Sequence, residues 1–208
     1  LITYKAKTKD TLPIVDIITL AATGSEYDAG GVISRTETND KTCYSDPHLY
    51  PKVSFLDPTY TFTVSKKQTA AGVADAMNHI MEQYFCEDST LLNDGFMEAG
   101  LRSLMINGRK CLENPEDYKA RAEMMLVCTY GCNGIYSLGN SESGWPCHGM
   151  EHALSAYYDI THGEGLAIIT PRWMKHILSE KTVYRFVKYG VNVFGIDASL
   201  DKMTIANK

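Results

Sequence analysis

Residues 65–84 read SKKQTAAGVADAMNHIMEQY, and with them the character of the chain changes. Val73, Met77, Ile80, Met81 and Tyr84 recur at spacings of three and four, which places them on one face of a helix over about 66–86. Asp75 and His79 are four apart, so on that helix they share a face about one turn apart. A carboxylate and an imidazole held this way can grip one cation. The same spacing also suits an ordinary hydrogen bond on a helix surface.

Downstream of this stretch the helical period continues. It predicts helices at about 91–112, from Pro115-Glu116-Asp117 to about Tyr136, and at about 147–157, 163–179 and 181–190. Residues 137–146 are rich in Gly, Ser and Asn and read as a loop. Pro171 is expected to kink or interrupt the 163–179 helix, because proline removes a backbone donor. Upstream, 1–64 reads as strands and turns, with β-branched runs at 13–20, 31–35 and 53–57. Strands first and helices after suggest the edge of an α/β domain (1–64) followed by most of an all-α domain (65–208). The chain begins at Leu1. Its last segment opens with Ser199 as a helix N-cap and stops without a C-cap. It therefore reads as an internal piece of a longer protein, truncated at both ends.

Composition narrows the function. The 208 residues are 44% apolar and 22% charged, which excludes a disordered or coiled-coil chain. Net charge is -5, against a nucleic-acid partner. No apolar run approaches the roughly 18 residues of a membrane span. Six cysteines without paired spacing read as reduced thiols, and no signal peptide is visible, so a cytoplasmic location is expected.

Histidines point to chemistry. Of six, His148, His152 and His162 fall in one short stretch, with His148 and His152 again four apart. Asp75, His79 and two of these three give one oxygen and three nitrogen donors, a set suited to Fe(II) or Zn(II) and poorly suited to Mg(II) or Ca(II). The bland alternative is polar residues lining a helix junction. Glu82, three residues after His79, is a candidate acceptor behind the ligands. His48 and His176 have no obvious partner. Residues 21–26, AATGSE, suit either a ligand-lining turn or a capped one.

Several of these motifs together resemble one family. TLAATGSE at 19–26, Leu56-Asp57-Pro58, GVADAMNH at 72–79 with Glu82-Gln83-Tyr84, and HGMEH at 148–152 with His162-Gly163 are similar to the iron-containing alcohol dehydrogenases, and within them to the butanol dehydrogenase-like branch. The resemblance spans about Leu12 to Ile196. It implies a dehydroquinate synthase-like fold, with a Rossmann-like dinucleotide domain ending near residue 64 and a helical metal domain after it.

The resemblance also chooses among the histidines. It implies Asp75, His79, His148 and His162 as metal ligands, and His152 as a neighbour that does not ligate but can pass a hydroxyl proton to solvent. Thr19, Thr23, Lys41, Tyr60 and Thr63 match positions that border NAD(H) or NADP(H), with Lys41 near the ribose. The implied glycine-rich pyrophosphate segment is expected before Leu1. The activity implied is hydride transfer between a short-chain alcohol or aldehyde and NAD(P), by a homodimer without membrane association. Trp145, Met150 and Tyr157 suit a short unbranched substrate. The alternative is another metal-dependent enzyme of the same fold, acting on a polyol or sugar phosphate.

Overall fold

The computed structural model describes residues 10–141 and 143–208. Residues 1–9, at the start of the expected dinucleotide part, and Glu142, inside the expected 137–146 loop, lie outside the described residues. Four short strands come first: β1 (Val15–Ile17), β2 (Gly30–Arg35), β3 (Asp40–Ser45) and β4 (Val53–Phe55). Among the described residues seven α-helices follow: α1 (Lys66–Tyr84), α2 (Leu91–Glu113), α3 (Tyr118–Cys132), α4 (Pro146–Tyr158), α5 (His162–Ile177), α6 (Val183–Phe194) and α7 (Lys202–Ala206). The described chain is mostly helical with few strands.

β1 pairs with β4 in parallel, Asp16 opposite Ser54, while β2 and β3 form an antiparallel hairpin with Val32 opposite Cys43. The 13–20 run yields only three residues of strand, and β3 has no counterpart in the sequence reading. Its residues, DKTCYS, lack apolar alternation. The turn before it is closed by Asn39 at φ 52, a left-handed conformation that Asn tolerates.

Local chemistry sets the helix ends. Ser65 Oγ accepts the Gln68 N–H at 3.2 Å to start α1, and Thr90 Oγ1 accepts the Asn93 N–H at 3.2 Å to start α2. Asp117 caps α3 through the Ala120 N–H at 3.0 Å. That helix closes at Cys132, short of Tyr136, because Gly134 turns the chain at φ 87. The last helix is capped by Asp201, which accepts the Thr204 N–H at 3.0 Å, and not by Ser199. α5 runs unbroken through Pro171. The Arg172 guanidinium donates to the Ile168 carbonyl at 2.6 Å beside the proline, and packing on two neighbouring helices holds the rest.

α1 is the central element. It packs against α2, α3, α4 and α5, and buries Ala76, Ile80 and Tyr84 completely. Tyr84 donates to Glu98 Oε1 of α2 at 2.8 Å. Behind it a buried ion pair ties α2 to α6: Arg185 Nη2 lies 2.9 Å from Asp94 Oδ1 and Nη1 3.0 Å from Oδ2. Among the described residues no helix is long and apolar enough to cross a membrane.

Candidate metal centre

α1, α4 and α5 converge on Asp75. Its Oδ1 lies 3.6 Å from His79 Nδ1, 3.7 Å from His148 Nε2 and 3.6 Å from His162 Nε2. Asp75 Oδ1, His79 Nδ1 and His148 Nε2 are buried with no hydrogen-bond partner. Buried polar atoms are almost always paired, so three orphans from residues whose donor atoms lie within 4.8 Å of one another mark a missing partner. A tetrahedral ion with donors at about 2.1 Å separates its donors by about 3.4 Å, close to the spacing around Asp75. One carboxylate oxygen with imidazole nitrogens matches the preference of Fe(II) or Zn(II).

Two glutamates set the histidines. Glu82 Oε2 takes the Nδ1 side of His148, and Oε1 accepts the backbone N–H groups of Cys147 and His148, the latter at 3.3 Å. α4 needs this help, because its N-cap residue, Trp145, sits at φ 48 and offers no capping side chain. Glu151 Oε2 takes the Nδ1 side of His162. Each carboxylate favours a proton on Nδ1, which leaves the Nε2 lone pair facing Asp75. Glu82 therefore stands behind His148, not behind the His79 that suggested it. Glu151 was not singled out from the sequence. It sits three residues after His148 on the same helix, and its complete burial was the signal the sequence withheld.

Close approach makes the centre. A Cβ on Gly163 would lie 2.0 Å from the Ala71 carbonyl oxygen, so only glycine lets α5 lie this near α1. A Cβ on Gly165 would meet the Glu151 side chain at 2.8 Å. On the remaining side Trp145 presents its ring edge-on to His79 and His148, with centroids 5.9 and 5.3 Å away.

Electrostatics follow from burial and the two glutamates. Burial works against the ionised form of Asp75, but the nearby imidazoles of His79, His148 and His162 outweigh it and hold the carboxyl below its ordinary range. Burial brings His79 down to about 4. His148 goes the other way, up to about 9, because the carboxylates of Asp75 and Glu82 overcome its burial. Burial, with the charges of His162 and Lys41, lowers His152 to about 4.

The other expected site residues are placed as follows. His152 stays outside the inner cluster, its ring 6.3 Å from that of His148 and 5.5 Å from that of His162. It lines a cavity of about 520 Å³ between the β2–β3 hairpin and α4, with Lys41, Cys43, Ala153 and Tyr157. Lys41 Nζ donates to Ser155 Oγ at 2.7 Å. Thr19 and Thr23 are exposed on the segment after β1, whose Ala21 carbonyl lies against Gly72 of α1. Tyr60 and Thr63 are exposed in and after the 3-10 turn Pro58–Thr61. Met150 is exposed on α4. His48 does have a partner: its Nδ1 is 2.7 Å from Asp46 Oδ1. No cysteine enters a donor cluster among the described residues.

Comparison with known proteins identifies the family. The model for the C-terminal part of the Fe-containing alcohol dehydrogenase family matches residues 69–207, which include all four candidate ligands. The model for iron-containing alcohol dehydrogenase matches residues 2–58. The chain belongs to the iron-containing alcohol dehydrogenase family.

Within the family, NADH-dependent butanol dehydrogenase A of Clostridium acetobutylicum is 50% identical over 204 residues, covering 98% of this chain and 52% of that protein. The NADPH-dependent aldehyde reductase YqhD of Escherichia coli is 36% identical over 93% of this chain and 50% of its own length. The crystal structure of NADH-dependent butanol dehydrogenase A from Thermotoga maritima superposes with a TM-score of 0.91 at 37% identity, over 98% of this chain and 52% of that one. The chain thus spans about half the length of the family members it matches.

Proposed function

We propose that this chain supplies the metal centre of an NAD(P)-dependent alcohol dehydrogenase or aldehyde reductase acting on short-chain substrates. In this reading residues 65–208 are the metal-binding part and residues 1–64 the end of a dinucleotide-binding part. The parallel β1–β4 pair, with Val15 and Phe55 on its surface, suits the second assignment, since parallel sheets belong to α/β layers. The observation that carries the proposal is the set of buried, partnerless donor atoms around Asp75 Oδ1.

Asp75, His79, His148 and His162 would hold Fe(II) or Zn(II). Such an ion, when bound, supplies Lewis acidity that makes an alcohol hydroxyl easier to deprotonate. Glu82 and Glu151 keep the Nε2 lone pairs of His148 and His162 turned inward. Trp145 shields one side from water. In this reading His152, at the cavity wall, takes the hydroxyl proton and passes it toward solvent. Thr19, Thr23, Tyr60 and Thr63, all exposed, and Lys41 are the residues this reading assigns to NAD(H) or NADP(H).

The full-length protein tests this. After removal of metal with a chelator and reloading with Fe(II) or Zn(II), oxidation of NADH or NADPH by butanal should vanish and return. Turnover indifferent to metal, or a preference for sugar phosphates, would contradict the proposal. The full-length protein is also expected to be a homodimer, and light scattering showing a monomer at micromolar concentration would count against that part.

A further inference from the structure

One side chain joins the β2–β3 hairpin to the histidine cluster. Lys41, on β3, donates from Nζ to Ser155 Oγ of α4 at 2.7 Å and stands 3.6 Å from Glu151 Oε2. The Lys41 side chain is 17% exposed and the Glu151 side chain 0%. A carboxylate taken wholly out of water needs a cation nearby or it is strongly destabilising. Lys41 is the lysine or arginine paired with Glu151 among the described residues. The other Glu151 oxygen, Oε1, is buried without a hydrogen-bond partner, and Ser155, which Lys41 holds, also favours the carboxylate. Its Oε2, in turn, takes the Nδ1 side of His162.

The placement also bears on a competing arrangement. Glu151, His152 and His162 form a second cluster of donors close enough to hold an ion. His162 also has Nε2 3.6 Å from Asp75 Oδ1, beside the tighter group of Asp75, His79 and His148. The Lys41 ammonium beside Glu151 already supplies a positive charge to the second cluster, which leaves His162 free to serve the first.

Resting on the metal-centre reading above, we propose that Lys41 is a positioning residue. It holds Glu151 so that His162 turns Nε2 toward Asp75, and it thereby ties metal affinity to the seating of the β2–β3 hairpin on α4.

The test is titration of the metal-stripped full-length protein with Co(II), read by chelator competition and by the visible absorption of the bound ion, which reports ligand geometry. Lys41→Met is expected to weaken Co(II) binding about tenfold and to change the absorption band, and Glu151→Gln to weaken it about 10–100-fold. Lys41→Arg, which keeps the cation, is expected to return affinity to within about threefold and to restore the band. Lys67→Met, which removes an exposed pair with Glu164 of α5 at 3.3 Å, is expected to change neither. Lys41→Gln is read by the same criteria if Lys41→Met does not fold. A wild-type protein that takes up no Co(II) overturns the metal-centre reading and this inference with it. A wild-type protein that binds, beside a Lys41→Met protein with the same affinity and band, overturns the inference alone.

Discussion

Asp75 Oδ1 stands 3.6 Å from His162 Nε2, and the two meet because α5 starts almost in contact with the backbone of α1. The donor cluster is therefore a product of helix packing. Its geometry depends on residues that carry no chemistry of their own.

Gly163 is the clearest of these. Gly163→Ala would force a methyl to within 2.0 Å of the Ala71 carbonyl oxygen, so the helices must part. Overpacking of this kind costs about 2 kcal/mol, a fall of roughly 4–8 °C in Tm for a chain of this size. Gly95, on the exposed face of α2 with open space around it, sets the contrast. Gly95→Ala should raise stability by roughly 0.5–1 kcal/mol through helix propensity. Thermal unfolding of the two variants decides the matter, and a Gly163→Ala protein with wild-type Tm would contradict the packing account.

Glu82 couples two tasks, the N-terminus of α4 and the orientation of His148. Glu82→Gln keeps the shape and removes the charge. Calorimetric titration with Zn(II) should show affinity lowered about 10–100-fold, in the range for a partner behind a ligand. Unchanged affinity would mean that His148 is oriented by something else.

The helical half was legible in the sequence because the period of Val73, Met77, Ile80 and Tyr84 reports a face that is in fact buried or half-buried. The site was legible only in part. Spacing offered His148 and His152 equally, and what separates them in the structure is which ring turns toward Asp75, a matter of tertiary packing. Glu151 reads as a solvent residue on a short helix, and its burial depends on α5 lying over it. Lys41 meets Ser155 across 114 residues of sequence, on a strand whose polar residues gave no period to read. Pro171 and Ser199 misled for a related reason: local rules for breaking and capping helices yielded to packing around α5 and to a stronger cap at Asp201.

Asp94 governs stability away from the site. Burial opposes its charge, but hydrogen bonds from Arg185, Lys188 and Ser89 prevail and hold its carboxyl below the ordinary value of 3.8. A carboxyl lowered by folding stabilises the protein above its unfolded pKa, and that contribution is lost as pH falls through the folded value. Stability should therefore decline on acidification below about pH 4. Asp94→Asn leaves Arg185 buried without its counter-ion, which costs about 3–5 kcal/mol, and should flatten that part of the pH profile. Denaturant titrations of both proteins between neutral pH and pH 3 would show it, and equal acid sensitivity would assign the effect elsewhere.

The central claim is that four residues, Asp75, His79, His148 and His162, hold one metal ion while His152 stands beside it. The most direct measurement is metal content per chain after dialysis, for the wild type and for single alanine variants. The wild type and His152→Ala should each retain about one ion, the latter with slowed turnover in the full-length enzyme, whereas His148→Ala and His162→Ala should lose it. Metal depleted in His152→Ala but retained in His148→Ala would contradict the account.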